Sequence, residues 1–147
     1  MLKNKWYIVL DSNELKTDRS ASIRLFGNEI ILWRDSRNNV HAIEARCPHR
    51  GANLGLGRII GDCLQCPYHG FLFDGDGKAV LIPSMGESAM ISKNYKAKNY
   101  SVKEYMNFIF LWYGDAHPTE EIRWLDGIDD SFTFSTMKAV WNTNYTR

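Results

Sequence analysis

An all-β fold, an antiparallel sandwich or small barrel, is predicted by three features of the sequence. Short runs of β-branched and aromatic residues recur along the chain, each closed by Gly, Asn or Asp. No apolar pattern of helical period persists beyond about two turns. The composition, 44% hydrophobic and 24% charged over 147 residues, is that of one globular domain with an ordinary core.

The elements follow in order. Lys5–Leu10 is apolar and aromatic, a first strand. Ser12–Ser20 is a polar loop with room for one helical turn at Ser12–Leu15. Ser22–Phe26 and Glu29–Arg34 flank Gly27-Asn28, which predicts a hairpin. Asp35–Asn39 is a second turn, and the strand Val40–Arg46 runs directly into Cys47. Leu56–Ile60 and Cys63–Gln65 form a short hairpin about Gly61-Asp62. Phe71–Phe73, the turn Asp74–Gly77 and Lys78–Ile82 make another. Pro83–Ser92 is irregular, and the lysine-rich Lys93–Tyr105 ends as a strand from Tyr100. Asn107–Tyr113 is the most strand-like run and reads as core. Pro118–Glu121 has the proline of a helix start, and Phe132–Trp141 is a last strand candidate.

A net charge of +1 argues against nucleic acid or an anionic membrane as a partner. No window approaches the roughly 18 apolar residues of a membrane span. The opening Met1–Leu10 lacks a signal-peptide core, so a cytoplasmic location is expected. Three cysteines, an odd number, argue against a disulfide framework.

The chemistry concentrates in Cys47–Gly70. Cys47-Pro48-His49-Arg50-Gly51 and Cys66-Pro67-Tyr68-His69-Gly70 each offer one thiol and one imidazole. Such donors suit zinc or an iron–sulfur cluster. Zinc fingers group Cys with Cys and His with His, whereas each loop here carries one of each. That mixing suits two irons, with both thiolates on one and both imidazoles on the other. Pro48 and Pro67 fix φ within the loops. Gly51 and Gly70 are positioned to curl the backbone, either toward a cluster or simply as ordinary turns.

Both boxes resemble those of Rieske proteins. Asp62–Asp74, with Cys66-Pro67-Tyr68-His69-Gly70-Phe71 at its centre, and Phe108–Asp115 are similar to bacterial Rieske non-haem iron oxygenases of the ring-hydroxylating dioxygenase and O-demethylase group. The resemblance implies a Rieske fold at 1–115, with the cluster-binding part at about 41–82 and a [2Fe–2S] cluster on Cys47, His49, Cys66 and His69. Respiratory-type relatives add one cysteine per loop in a disulfide; Ala52 and Tyr68 stand there instead. Phe71 stands where high-potential members place a serine. Two imidazoles raise the potential above an all-Cys cluster, but fewer hydrogen bonds to sulfur lower it within the Rieske range, toward about −150 mV.

The function so implied is electron transfer within an oxygenase that hydroxylates or demethylates an organic, aromatic substrate. It would use O2 and electrons from a reductase or ferredoxin. The full-length assembly would be a homotrimer, with mononuclear Fe(II) in a separate catalytic domain. The tail 116–147 resembles the segment leading into that domain, and no iron motif follows. The expectation is therefore a domain that passes electrons without itself hydroxylating. A free-standing Rieske-type ferredoxin and a structural zinc module are the alternatives.

Other candidates are weaker. Cys63 reads as a small buried strand residue. Asp74–Gly77 suggests a calcium loop but lacks its Gly and Glu at positions six and twelve, where Ala79 and Met85 stand. His41 and His117 have no partner His nearby in sequence. Lys93, Lys96, Lys98 and Lys103 read as a solvated face, or as a dock for an acidic electron donor.

Overall fold

A computed structural model of the chain describes residues 2–115, 117–123, 127–128, 131–133, 135, 137, 139 and 141–142. Among these residues ten antiparallel strands form three sheets: β1 (Lys5–Asp11), β2 (Ser20–Leu25), β3 (Asn28–Arg34), β4 (Val40–Glu44), β5 (Arg58–Ile60), β6 (Cys63–Gln65), β7 (Leu72–Phe73), β8 (Ala79–Leu81), β9 (Val102–Tyr105) and β10 (Phe108–Tyr113). The sheet orders are β1-β10-β9, β2-β3-β4 and β5-β6-β7-β8. The helical segments among the described residues are three-residue 3₁₀ turns at Ser12–Glu14, Leu54–Leu56 and Pro83–Met85. Among the described residues no helix is long and apolar enough to cross a membrane.

β3 is buried on both faces and separates two cores. Ile30 and Leu32 join Leu15, Ala42, Ile109 and Leu111, so the two three-stranded sheets face each other across them. Ile31 and Trp33 point the other way, toward Ile43, Leu54, Leu64 and Phe73 under the four-stranded sheet. The period-2 alternation of a strand thus serves two cores at once. Arg34, at the end of β3, is 5% exposed. Its guanidinium donates to both oxygens of Glu104 on β9, at 2.6 and 2.7 Å. The hydrogen bond to Arg34 holds the Glu104 carboxyl below the usual range.

The extended segment 95–101 joins the sheets. Ala79 N donates to Tyr95 O and Ala97 N to Gly77 O, while Glu44 N donates to Lys98 O and Tyr100 N to Ala42 O. Gly77 has φ +78° and lies so close to the Ala97 carbonyl that a Cβ there would strike it. Gly77→Ala is therefore expected to cost about 2–3 kcal/mol in a denaturant titration; an unchanged midpoint would show that this junction gives way freely.

Three expectations need correction. The first hairpin turns on Phe26-Gly27, with Leu25 paired to Asn28, one residue before Gly27-Asn28. Both turn residues have positive φ, +49° and +80°, the type I′ geometry that suits strand twist. Asn107 likewise belongs to a turn with Met106 (φ +62° and +47°) and not to β10. Pro118–Glu121 is not helical. It lies along β1, where the Trp6 indole donates to Glu120 O at 2.7 Å and the Lys5 ammonium meets the Glu120 carboxylate at 2.7 Å. Within the candidate strand Phe132–Trp141 the described residues are not in strand and four others lie outside the description, as do 143–147 of the tail.

Candidate metal centre

The two loops are copies of one turn. Cys47 N donates to Ala52 O at 2.9 Å and Gly51 N to Cys47 O at 2.8 Å. In the second loop Cys66 N donates to Phe71 O at 2.8 Å and Gly70 N to Cys66 O at 3.1 Å. Gly51 and Gly70 both have φ +73°, the left-handed conformation that closes the turn and favours glycine. Cys, Pro and Gly fall at the same places in each turn. The imidazole is third in one loop and fourth in the other, so the unequal spacing reflects one backbone shape carrying its His at different steps.

The geometry sorts the donors by kind. Cys47 and Cys66 are each 2% exposed and belong to the same buried cluster. His49 is half-buried and His69 exposed, with ring centroids 4.8 Å apart. Burial pushes the Cys47 thiol up, opposed by the backbone N–H groups of His49 and Arg50, which point at its sulfur. A metal reverses that outcome by deprotonating a coordinating thiol outright. Burial, then the nearby His69 and Arg50, push the His49 imidazole down. That favours the neutral ring a metal needs.

Zinc needs four donors at about 2.0–2.3 Å from one point. Among the described residues no three His, Cys, Asp or Glu side chains converge in that way. A thiol pair beside an imidazole pair is the donor set of a two-iron cluster with mixed ligands.

A family profile described as "Rieske [2Fe-2S] domain" matches residues 5–105. The chain belongs to that family. It is 36% identical over 138 residues to the cholesterol 7-desaturase nvd of Drosophila melanogaster, covering 89% of this chain and 31% of the relative. It is 32% identical over 152 residues to aminopyrrolnitrin oxygenase PrnD of Pseudomonas fluorescens, covering 95% and 41%. The crystal structure of dicamba monooxygenase with non-heme iron and dicamba superposes with a TM-score of 0.73 at 30% identity, covering 80% of this chain and 35% of that one. The chain thus spans less than half the length of each. The Rieske fold, the [2Fe–2S] cofactor and an electron-transfer role follow from this membership.

Sequence reading missed the aromatic walls of the site. The Phe71 ring stacks on His49 with centroids 4.8 Å apart and planes 8° apart, and Tyr95 meets both edge-on. Tyr68 packs against His69 at 3.9 Å. Phe71 and Tyr68 carried a signal in their places beside the boxes; Tyr95, 24 residues beyond Phe71, carried none. The set-aside residues lie elsewhere. His41 bonds Asp35 at 3.0 Å and packs on Trp33. His117 borders a groove with Lys98, Tyr100 and Trp112. Cys63 is half-buried on β6 and free, its thiol pushed up by burial and by Asp74 and Asp62. The Asp74 carboxylate accepts from Asp76 N and Lys78 N within its own turn, which accounts for the calcium-like sequence.

Proposed function

We propose that Cys47 and Cys66 hold one iron and His49 and His69 the other, and that the chain carries single electrons as the Rieske part of an oxygenase. The observation that carries this reading is the segregation of donors, two buried thiols beneath two rim imidazoles. When bound, the cluster supplies a one-electron store at a potential above that of an all-Cys site. The protein's own groups set the terms of that store. Phe71 covers one face of His49 and keeps water from it. The N–H groups of His49 and Arg50 face the Cys47 sulfur. His69, exposed at the tip, brings a ring N–H to the surface, where an electron can leave and a proton exchange with solvent.

The wider reading has residues 1–115 as the Rieske unit, centred on about 41–82. Residues 116–147 then lead toward a catalytic domain with mononuclear Fe(II). The greater length of every relative described supports it. A reductase or ferredoxin donates the electrons, the full-length protein is a cytoplasmic homotrimer, and an organic substrate is oxidised with O2. The names of the relatives extend from aminopyrrolnitrin to cholesterol, so an aromatic ring is only the narrower form of the substrate proposal.

Visible absorption of the purified chain, with EPR after reduction, tests the cluster: a colourless, zinc-containing protein refutes it. Phe71 offers no hydroxyl to a cluster sulfur, and the three cysteines form no disulfide. The potential is therefore expected near the low Rieske limit of about −150 mV. A titration giving a value well above zero would overturn that expectation.

A further inference from the structure

The two imidazoles open onto different surfaces. His69 lies beside exposed Pro67 and Tyr68, and its loop abuts Pro83, with half-exposed Met85 in the same 3₁₀ turn. His49 borders a depression that it shares with Arg46, Arg50, Lys96 and Glu44. The Arg46 guanidinium reaches across Gly51, 3.3 Å from where a Cβ would stand. Arg46, Arg50 and Lys96 are all exposed.

Among the described residues, the ion pairs engage Lys3, Lys5, Arg34, Arg37, His41, Lys78 and Lys103, and none of these three. Glu44 borders the same depression and Asp76 is within electrostatic reach of Lys96, yet the cations outnumber the carboxylates. The lysine run divides accordingly. Lys103 pairs with Glu121 and Lys98 lies over Tyr100, while Lys96 joins two arginines that stand far from it in sequence. With a whole-chain charge of only +1, attraction of an anionic protein must come from such a local field, which steers encounters by raising the association rate.

We propose that the Arg46–Arg50–Lys96 face docks an acidic redox protein, so that electrons enter beside His49, which borders that face, and not beside His69, which does not. This rests on the electron-carrier reading above. The test measures binding of an oxidised, acidic plant-type [2Fe–2S] ferredoxin to the full chain at low ionic strength. Reduction of the chain by the same ferredoxin, and by an uncharged photoreductant, is measured alongside.

Binding should weaken steadily with added salt. Arg50→Glu and Lys96→Glu should each weaken it about tenfold or more, and Lys96→Glu, which lies outside both cluster loops, should slow reduction by the ferredoxin to match while leaving reduction by the uncharged agent unchanged. Lys16→Glu, in the loop after β1, should change neither. If Arg50→Glu disturbs its loop, Lys96→Glu still decides. Equal weakening by Lys16→Glu, or none by Lys96→Glu, overturns the proposed face. A chain without a Rieske spectrum instead refutes the electron-carrier reading, whatever binds to it.

Discussion

Alanine at His49 or at His69 is expected to abolish the cluster: the visible absorption and the EPR signal of the reduced protein should vanish in both variants. Each ring is one of only two protein ligands for its iron under the proposed assignment, and the walls around it offer no substitute. Phe71, Tyr95 and Tyr68 pack about the imidazoles. None of them is a ligand of Rieske clusters. The other histidines cannot step in, because His41 is bonded to Asp35 and His117 borders a separate groove. Their alanine variants should therefore keep full spectra. Cys47→Ala and Cys66→Ala should fail as the histidine variants do. Both thiols are buried, and Cys63 belongs to β6 outside the loops. Iron content per chain, measured beside the spectra, separates a lost cluster from a bleached one. Retained spectra in both His49→Ala and His69→Ala would break the assignment.

The proposed assignment can be made from sequence because loop chemistry is local. A Cys, a Pro and a Gly at fixed steps state both the turn and its donors, and no distant residue is needed to see them. The strands were legible for a similar reason, since β-branched and aromatic runs between turn residues dictate extended backbone. What escaped was tertiary. Gly27-Asn28 is a good turn dipeptide, yet the turn moved to Phe26-Gly27. There Phe26 packs edge-on against Tyr7 and Tyr113, and Asn28 donates to the Tyr113 hydroxyl at 2.8 Å. Pro118–Glu121 carries a helix-start signal, but Lys5 and Trp6 of a strand more than a hundred residues earlier hold Glu120 in place. The segment 95–101 looks like a soluble lysine stretch because its structural work is done by backbone groups, which sequence does not display. The basic face beside His49 was hidden likewise: one of its cations lies 46 residues beyond Arg50.

Asp35 carries the second large effect, on stability. It is fully buried and accepts from Arg37 N at 3.0 Å, Asn39 N at 2.7 Å, Asn39 Nδ2 at 3.0 Å and His41 Nε2 at 3.0 Å. An ionised carboxylate only accepts, so the His41 tautomer facing it carries its proton on Nε2. Burial alone would push this carboxyl up. The hydrogen bonds from Asn39 and His41 outweigh burial and hold it well below the usual carboxylate range. The network also spans sheets, because His41 packs on Trp33 and closes over Gly75 in the β7–β8 turn. Asp35→Ala strands these donors and should cost about 3–5 kcal/mol in urea at pH 7. Asp35→Asn keeps the shape but turns an amide toward groups that donate, and should cost less than alanine while remaining destabilising. The pH dependence has a definite sign. A carboxyl depressed on folding contributes its full stability above the unfolded value of about 3.9 and loses it as pH falls below that. The gap between wild type and Asp35→Asn should therefore be widest near neutrality and shrink as the solution is acidified below about pH 4. A gap that stayed constant through that range would mean that the carboxylate's charge contributes nothing and that its shape alone supports the turn.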